Sequence, residues 1–233
     1  MERYIDKAQQ RIYLDKFGFS EFLDQAFVGK LKTYKFSPGE FMIRHGEPAD
    51  HLWFFVEGRS KVFMTLENGK SLLIRFYAPP EIVGDVEVFS RTPYICNMQA
   101  LTTVACIGTP SHVFREHAES NPRLLVFMCR NLSNKLANFN LLSAVNQKYT
   151  LENRVAAYLA AVSTPHESRH RISEEINTSN LTELADLLGS SYRHLTRTLK
   201  KLKNDGIIAK SGDDFVILDR KRLLSMARDI YSF

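Results

Sequence analysis

A chain of 233 residues with a formal net charge of +5 and 44% hydrophobic residues is long enough for two modest cores without disulfide support. Its three cysteines include no CxxC pair, which excludes a disulfide framework and a cysteine-rich zinc or iron–sulfur site and fits buried thiols in a reducing compartment. The N-terminus carries no apolar signal core, and no stretch approaches the uncharged run of about 18 residues that a membrane helix needs, so a soluble, cytoplasmic protein with no membrane partner is expected.

The first element is a helical lead over about Ile5 to Val28, with Phe17, Phe19, Phe22 and Leu23 on an apolar side. Residues 32–110 then change texture. Short runs of Val, Ile, Phe and Thr are broken by Pro38-Gly39, His45-Gly46, Glu57-Gly58, Asn68-Gly69, Pro79-Pro80 and Gly84, the spacing of short antiparallel strands in a sandwich or roll. Asn68-Gly69 predicts a hairpin with a type I′ turn. Cys96, Cys106 and Cys129 read as small core hydrophobes, with a redox role the alternative for Cys96. His45, His51, His112 and His117 have no distinguishing context and read as surface or turn residues.

Pro110 ends the strands, a short helix follows, and Asn121-Pro122 opens a run to Gln147 without Gly or Pro. Leu125, Leu132, Phe139 and Asn146 recur every seven residues, flanked by Met128, Leu136, Leu142 and Tyr149, as in a coiled-coil seam. Such a seam either pairs two parallel chains, with Asn146 helping to set register, or packs on its own β-domain; the first accounts better for the repeat. A helix over about Thr150 to Val162 and a polar linker, Ser163 to Arg171, come next.

The segment Thr182–Gly206 spells a short helix, a tight turn and a basic second helix. Gly189 after Leu184, Leu187 and Leu188 suits a left-handed helix end, Ser190 and Ser191 offer a hydroxyl cap for the next helix, and Asn180 with Glu183 offers a capping pair for the first. In the second helix Leu195, Leu199 and Leu202 form one stripe, while Arg193, Arg197, Lys200 and Lys201 form another, with no acid between Ser191 and Asn204. That is the pattern of a helix-turn-helix reader of double-stranded DNA: one face packs, the other meets phosphates and base edges. The basic excess lies in residues 121–233, with 17 Lys+Arg against 11 Asp+Glu. Ile207–Lys210 and Phe215–Leu218 around Ser211-Gly212-Asp213-Asp214 predict a wing hairpin, whose acids suit stabilising the module better than gripping phosphate; a closing helix follows from Asp219.

The spacing PGE, LWFFVEGRSKVF, ENGK and VGDVEVF, followed by a long helix and LLGSSYRHL, resembles the CRP/FNR family of bacterial transcription regulators, in particular the YeiL type. The resemblance spans nearly the whole chain and implies an α+β fold: a cyclic-nucleotide-binding-like β-roll (jelly roll), a long dimerisation helix and a C-terminal winged helix-turn-helix. The corresponding ranges are 1–120, 121–149 and 150–233. It implies a homodimer on a two-fold symmetric operator, with Tyr192, Arg193, Thr196 and Arg197 towards base edges and Ser191, His194, Lys200 and Lys201 nearer the DNA backbone. Tyr192 either touches a thymine methyl or packs against the turn. The dimer interface would use Leu125, Met128, Leu132, Leu136, Phe139, Leu142 and Asn146.

In family members that bind cyclic AMP, a Gly-Glu pair meets the ribose and an Arg-Ser pair holds the cyclic phosphate. Gly84 and Asp85 keep the first pair here, but Tyr94 and Ile95 stand where Arg and Ser belong, with Arg91 the nearest substitute. Each lost charge-assisted bond costs roughly 1.5–3 kcal/mol, so cyclic AMP is not expected. The effector pocket that Gly84, Asp85, Val86, Tyr94, Ile95 and Cys96 would outline, with Val88, Phe89 and Met98, is apolar, which implies an uncharged or amphiphilic effector or none. No cofactor or metal is expected, since the cysteine group of the oxygen-sensing members is absent from residues 1–40. RNA polymerase is a candidate partner for the linker Ser163–Arg171. An alternative is an effector-binding module that acts through protein contacts without specific DNA recognition. No nucleophile elbow, P-loop or HExxH appears, so an enzyme is not expected.

Overall fold

The computed structural model describes residues 2–4, 6–166, 169–172, 181–211, 214–228 and 230, for the backbone alone at 2–4, 138–148, 164–166, 169–172 and 214. The chain divides into two compact units, one of Met1–Met64 with Tyr77–Phe139, the other of Thr65–Phe76 with Asn140–Phe233.

The first unit begins with β1 (Glu2–Tyr4), α1 (Lys7–Lys16), a 3-10 turn (Phe19–Glu21) and α2 (Gln25–Val28). Asp6 and Asp24 cap the two helices by accepting from the backbone N–H of Gln9 and Phe27. In chain order strands β2 (Lys32–Phe36), β3 (Phe41–Ile43), β4 (His51–Glu57), β5 (Ser60–Thr65), β6 (Ser71–Tyr77) and β7 (Glu81–Val83) follow, β6 being counted with the second unit up to Phe76. After them come α3 (Asp85–Ser90), β8 (Asn97–Ala100), β9 (Val104–Pro110), α4 (Ser111–Glu119) and the long α5 (Pro122–Lys148). Two sheets, β1-β2-β9-β4-β7 and β3-β8-β5-β6, make the jelly-roll architecture that the breaker spacing predicts.

Strand β4, HLWFFVE, explains how the roll is covered. Leu52, Phe54 and Val56 project to one side and Trp53 and Phe55 to the other, and all are buried, as expected of a strand with both faces covered. Trp53 meets Tyr34 and Phe36 edge-on, while Phe54 packs on Phe19 of the helical lead and Phe114 of α4. Leu124 and Met128 of α5 complete that cluster. Asn121 starts α5 by accepting from the Leu124 N–H, and its amide donates to the Phe22 carbonyl.

The hairpin at Asn68-Gly69 forms, but not with the expected type I′ turn. Gly69 has φ 78° and Asn68 is not among the positive-φ residues, while Gly69 N–H donates to Leu66 O and Leu66 N–H to Lys70 O. This is a three-residue loop with glycine at the left-handed position, which Asn-Gly serves equally well.

In the second unit, α6 (Leu151–Val162) opens on a capping box between Thr150 and Asn153 and is buried over most of its surface. The segment expected to be a polar linker is instead a hairpin, β10 (Ser163–His166) with β11 (Arg169–Ile172). Backbone pairing to the wing explains the difference, since strand ladders need no apolar side chains: β11 pairs with β13 (Asp214–Ile217), which pairs with β12 (Ile208–Ser211). Helices α7 (Leu181–Leu187), α8 (Tyr192–Asn204) and α9 (Arg220–Ala227) complete the unit. Asn180 and the wing tip Gly212-Asp213 lie outside the described residues.

Candidate nucleic-acid interface and sensor cassette

The turn between α7 and α8 is built as its residues suggest. Gly189 has φ 62°, its N–H donates to Asp186 O, and Ser190 N–H reaches back to Ala185 O at 2.8 Å, a Schellman end. Ser191 then caps α8 by accepting from the His194 N–H at 3.2 Å. Leu195, Thr198, Leu199 and Leu202 are buried, which turns Tyr192, Arg193, His194, Arg197 and Lys200 outward. Tyr192 is 52% exposed at the start of the helix.

Three details of this surface lie beyond the reach of the sequence pattern. Lys201, grouped above with the backbone contacts, donates to Glu152 of α6 at 2.7 Å, and that hydrogen bond raises its pKa. Thr196 donates its hydroxyl back to Tyr192 O at 3.0 Å, which ties that group to its own helix. Arg154 of α6 donates to Leu188 O at 2.6 Å and so braces the turn itself. Glu152 and Arg154 lie some forty residues from α8, and no local spacing marks them.

The sensor cassette runs from β7 through α3 to β8. Gly84 has φ 84°, and a Cβ there would stand 2.7 Å from His51 O, so only glycine fits. The buried Asp85 accepts from Asn131 Nδ2 at 2.7 Å and from Lys135 Nζ at 2.8 Å, both from α5. Lys135 also approaches Glu81 at 3.8 Å, donates to the Ile82 carbonyl and lies 5.5 Å from the Tyr77 ring. Burial opposes its charge, yet Tyr77, Asp85 and Glu81 together hold the ammonium above its ordinary range. Lys135 is a functional candidate that the sequence reading missed, because it lies fifty residues from Asp85.

The residues expected to outline one apolar pocket do not share a surface. Val88, Tyr94 and Met98 are core residues, whereas Val86, Phe89 and Ile95 are 41%, 37% and 48% exposed. The short α3 turns Asp85 and Val88 inward and Val86 and Phe89 outward, and in the bend before β8 Tyr94 is buried and Ile95 exposed. At the expected phosphate position the Ile95 N–H donates to the buried Glu87 carboxylate at 3.1 Å, and Tyr94 donates to His51 O. Arg91 is exposed and borders a separate depression of about 430 Å³, with Asp50, His112 and Arg115 among its lining.

Burial, with Glu87 adding to it, pushes the Cys96 thiol up to about 12, which keeps it protonated and makes it a poor redox nucleophile. Burial likewise raises Cys106, while Cys129 is exposed on α5. Of the four histidines, His117 departs from the surface expectation: it stacks on Phe27 at 4.2 Å and lies 3.6 Å from Asp24. Among the described residues no group of three or more His, Cys, Asp or Glu is placed to hold a metal ion, and no helix is long and apolar enough to cross a membrane. On α5, Met128 points into its own unit at 1% exposure, Leu125 and Leu132 are half-buried and Leu136 is 62% exposed; the side chains of Phe139, Leu142 and Asn146 lie outside the described residues.

A cyclic nucleotide-binding domain matches residues 33–121, and a Crp-like helix-turn-helix domain matches residues 153–226. Roll and reading head together define a transcription regulator with a DNA-binding helix-turn-helix. The chain belongs to the CRP/FNR family. It is 28% identical over 203 residues to the regulatory protein YeiL of Escherichia coli O157:H7, covering 85% of this chain and 87% of that protein. It is 25% identical to the transcriptional activator protein anr of Pseudomonas aeruginosa, covering 81% and 78%. In fold it is similar to a crp/fnr family regulator from Eubacterium rectale, with a TM-score of 0.75 at 16% identity over 92% of this chain and 99% of that one.

Lys135→Met leaves Asp85 buried without its cation and is expected to cost about 3–5 kcal/mol, read as a lowered urea midpoint. Alkali should act in the same direction. Cys96 keeps its proton at pH values where the unfolded chain, titrating near 9, has lost it, and Tyr94, which burial pushes up to about 12, does the same above 10. Stability should therefore fall as pH rises from about 9 towards 12, and Cys96→Ser should flatten the early part of that fall in urea titrations at stepped pH.

Proposed function

We propose that the chain works as a homodimer on a two-fold symmetric operator, reading each half-site with α8, and that its sensor does not take cyclic AMP. The observation that carries the DNA reading is the free cationic face: Arg193 and Arg197 stand exposed on a capped, well-packed helix, and neither meets an acid among the described residues. A guanidinium so presented can donate two bonds to guanine O6 and N7, which contributes about 1–3 kcal/mol of base discrimination. Lys200 and His194 flank them and suit phosphate contacts, and Ser191 as N-cap lies at the end of α8 that enters the groove. Tyr192, exposed at the start of α8, suits the thymine methyl, and Thr196 lies on the same side towards the base edges. Lys201, tied to Glu152, contributes less than Lys200.

On the sensor side, a cyclic phosphodiester needs an amide donor and a cation. The Ile95 amide is already committed to Glu87, a like charge to the phosphate, and the Lys135 ammonium is committed to Asp85 and Glu81. Any effector is therefore uncharged or amphiphilic and approaches by way of the exposed Val86 and Ile95. Regulation proceeds without a resident cofactor.

Two measurements test these readings. In an electrophoretic shift assay Arg197→Ala is expected to relax base preference at one operator position by about 1–3 kcal/mol, whereas Lys200→Ala weakens all sequences alike and lowers the salt slope by about one unit. Identical behaviour of the two variants would remove the division of roles. Calorimetric titration with cyclic AMP is expected to give no saturable heat; tight binding would reverse the sensor assignment.

A further inference from the structure

The depression of about 430 Å³ in the first unit has the volume of a small-molecule site, for which roughly 300–1,000 Å³ is usual. Three segments wall it: Pro48–Asp50 before β4, Arg91–Pro93 after α3, and Ser111, His112 and Arg115 of α4. Each is tied to a neighbour. The Ser111 hydroxyl donates to Ala49 O at 2.7 Å and its N–H to Asp50 O at 2.8 Å, which fixes the first segment to α4. Tyr94 N–H donates to Glu47 O at 3.0 Å, and Arg115 Nη1 donates to Val88 O at 2.9 Å, which joins α4 to α3. The hollow is therefore formed in advance, and binding there carries little ordering cost.

Its lining carries charge of both signs. Arg91 is exposed and its guanidinium meets no acid among the described residues. With φ 58° it is one of two non-glycine residues of positive φ among them, a sparsely populated conformation held here by its N–H bond to Glu87 O at 2.8 Å. Arg115 retains guanidinium donors beyond the one on Val88. Asp50 faces these cations with a side chain 73% exposed, one oxygen lying 3.0 Å from His51 Nδ1. Glu87, the other acid, is buried and holds the Ile95 N–H. A simple anion would meet the two acids unpaired and a simple cation would meet the two guanidiniums, so a molecule bearing both charges close together matches the lining best.

We propose that this depression binds a free amino acid with an apolar side chain. Its carboxylate pairs with Arg91 and Arg115, for which the planar guanidinium fork is suited, and its ammonium donates to Asp50. The side chain lies on Pro48, Ala49 and Pro93. The site is separate from the position at which a cyclic phosphate was expected, so it stands whether or not the cassette takes an effector.

The full-length protein is titrated calorimetrically with L-leucine, L-methionine and L-phenylalanine, and with the amine and the deaminated acid that correspond to each. Saturable heat from at least one amino acid, with affinity at least about tenfold lower when either charged group is missing, is the expected result. Arg91→Gly removes the guanidinium while suiting the left-handed backbone, so its urea midpoint should hold as the affinity falls at least about tenfold. Asp50→Asn, a change of the same shape at an exposed position, should lower the affinity likewise. Absence of saturable heat with all three amino acids overturns the site. So does equal binding of an analogue that lacks one charge, or an affinity unchanged in either variant.

Discussion

A buried ammonium in a roll of mostly apolar side chains is tolerable only when carboxylates meet it, and the cluster of Lys135, Asp85, Glu81 and the Ile82 carbonyl meets that condition at 2.8 and 3.8 Å for the two acids. Because the ammonium comes from α5 and the acids from β7 and α3, the pair fixes the rotation of the long helix on its sheet. Asn131, one turn earlier, repeats the tie, and Met128 and Leu124 follow it into the core. Once that face is committed, the disposition of every other α5 residue follows from a 100° step, including which leucines are left to the surface.

The reading head obeys a different logic, in which local rules suffice. Glycine at a left-handed position, a serine cap and two stripes of opposite character are short-range features, so α7, its turn and α8 were legible from a few dozen residues. What the local rules cannot deliver is the partner that arrives from elsewhere in the chain. Lys201 looks as free as Lys200 until Glu152 of α6 is brought beside it, and Thr196 looks like a hydroxyl donor until its bond to the Tyr192 carbonyl is seen.

The same division explains the sensor. Glycine breakers and alternating apolar runs announced a β-roll, and the family resemblance sets Tyr94 and Ile95 where an Arg-Ser pair is expected. The apolar pocket was not a sound expectation, because Val88 and Met98 sit in the core while Val86 and Ile95 face out, an arrangement set by the phase of a six-residue helix that no periodicity could fix. The polar run after α6 misled for a related reason: pairing of β11 with β13 is made by backbone groups, which composition does not report. Met128 was expected in the dimer seam, and only the side that faces the sheet shows it packed into its own roll.

The hydrogen bond from the Ile95 amide to Glu87 has a bearing on redesign. Grafting arginine and serine onto positions 94 and 95 would restore the missing side chains but not the vacancy, since the carboxylate would still hold the donor and repel the incoming anion. On the proposed reading of the roll, accommodating an anion there would therefore require neutralising position 87 as well, and that change has to come before a new guanidinium.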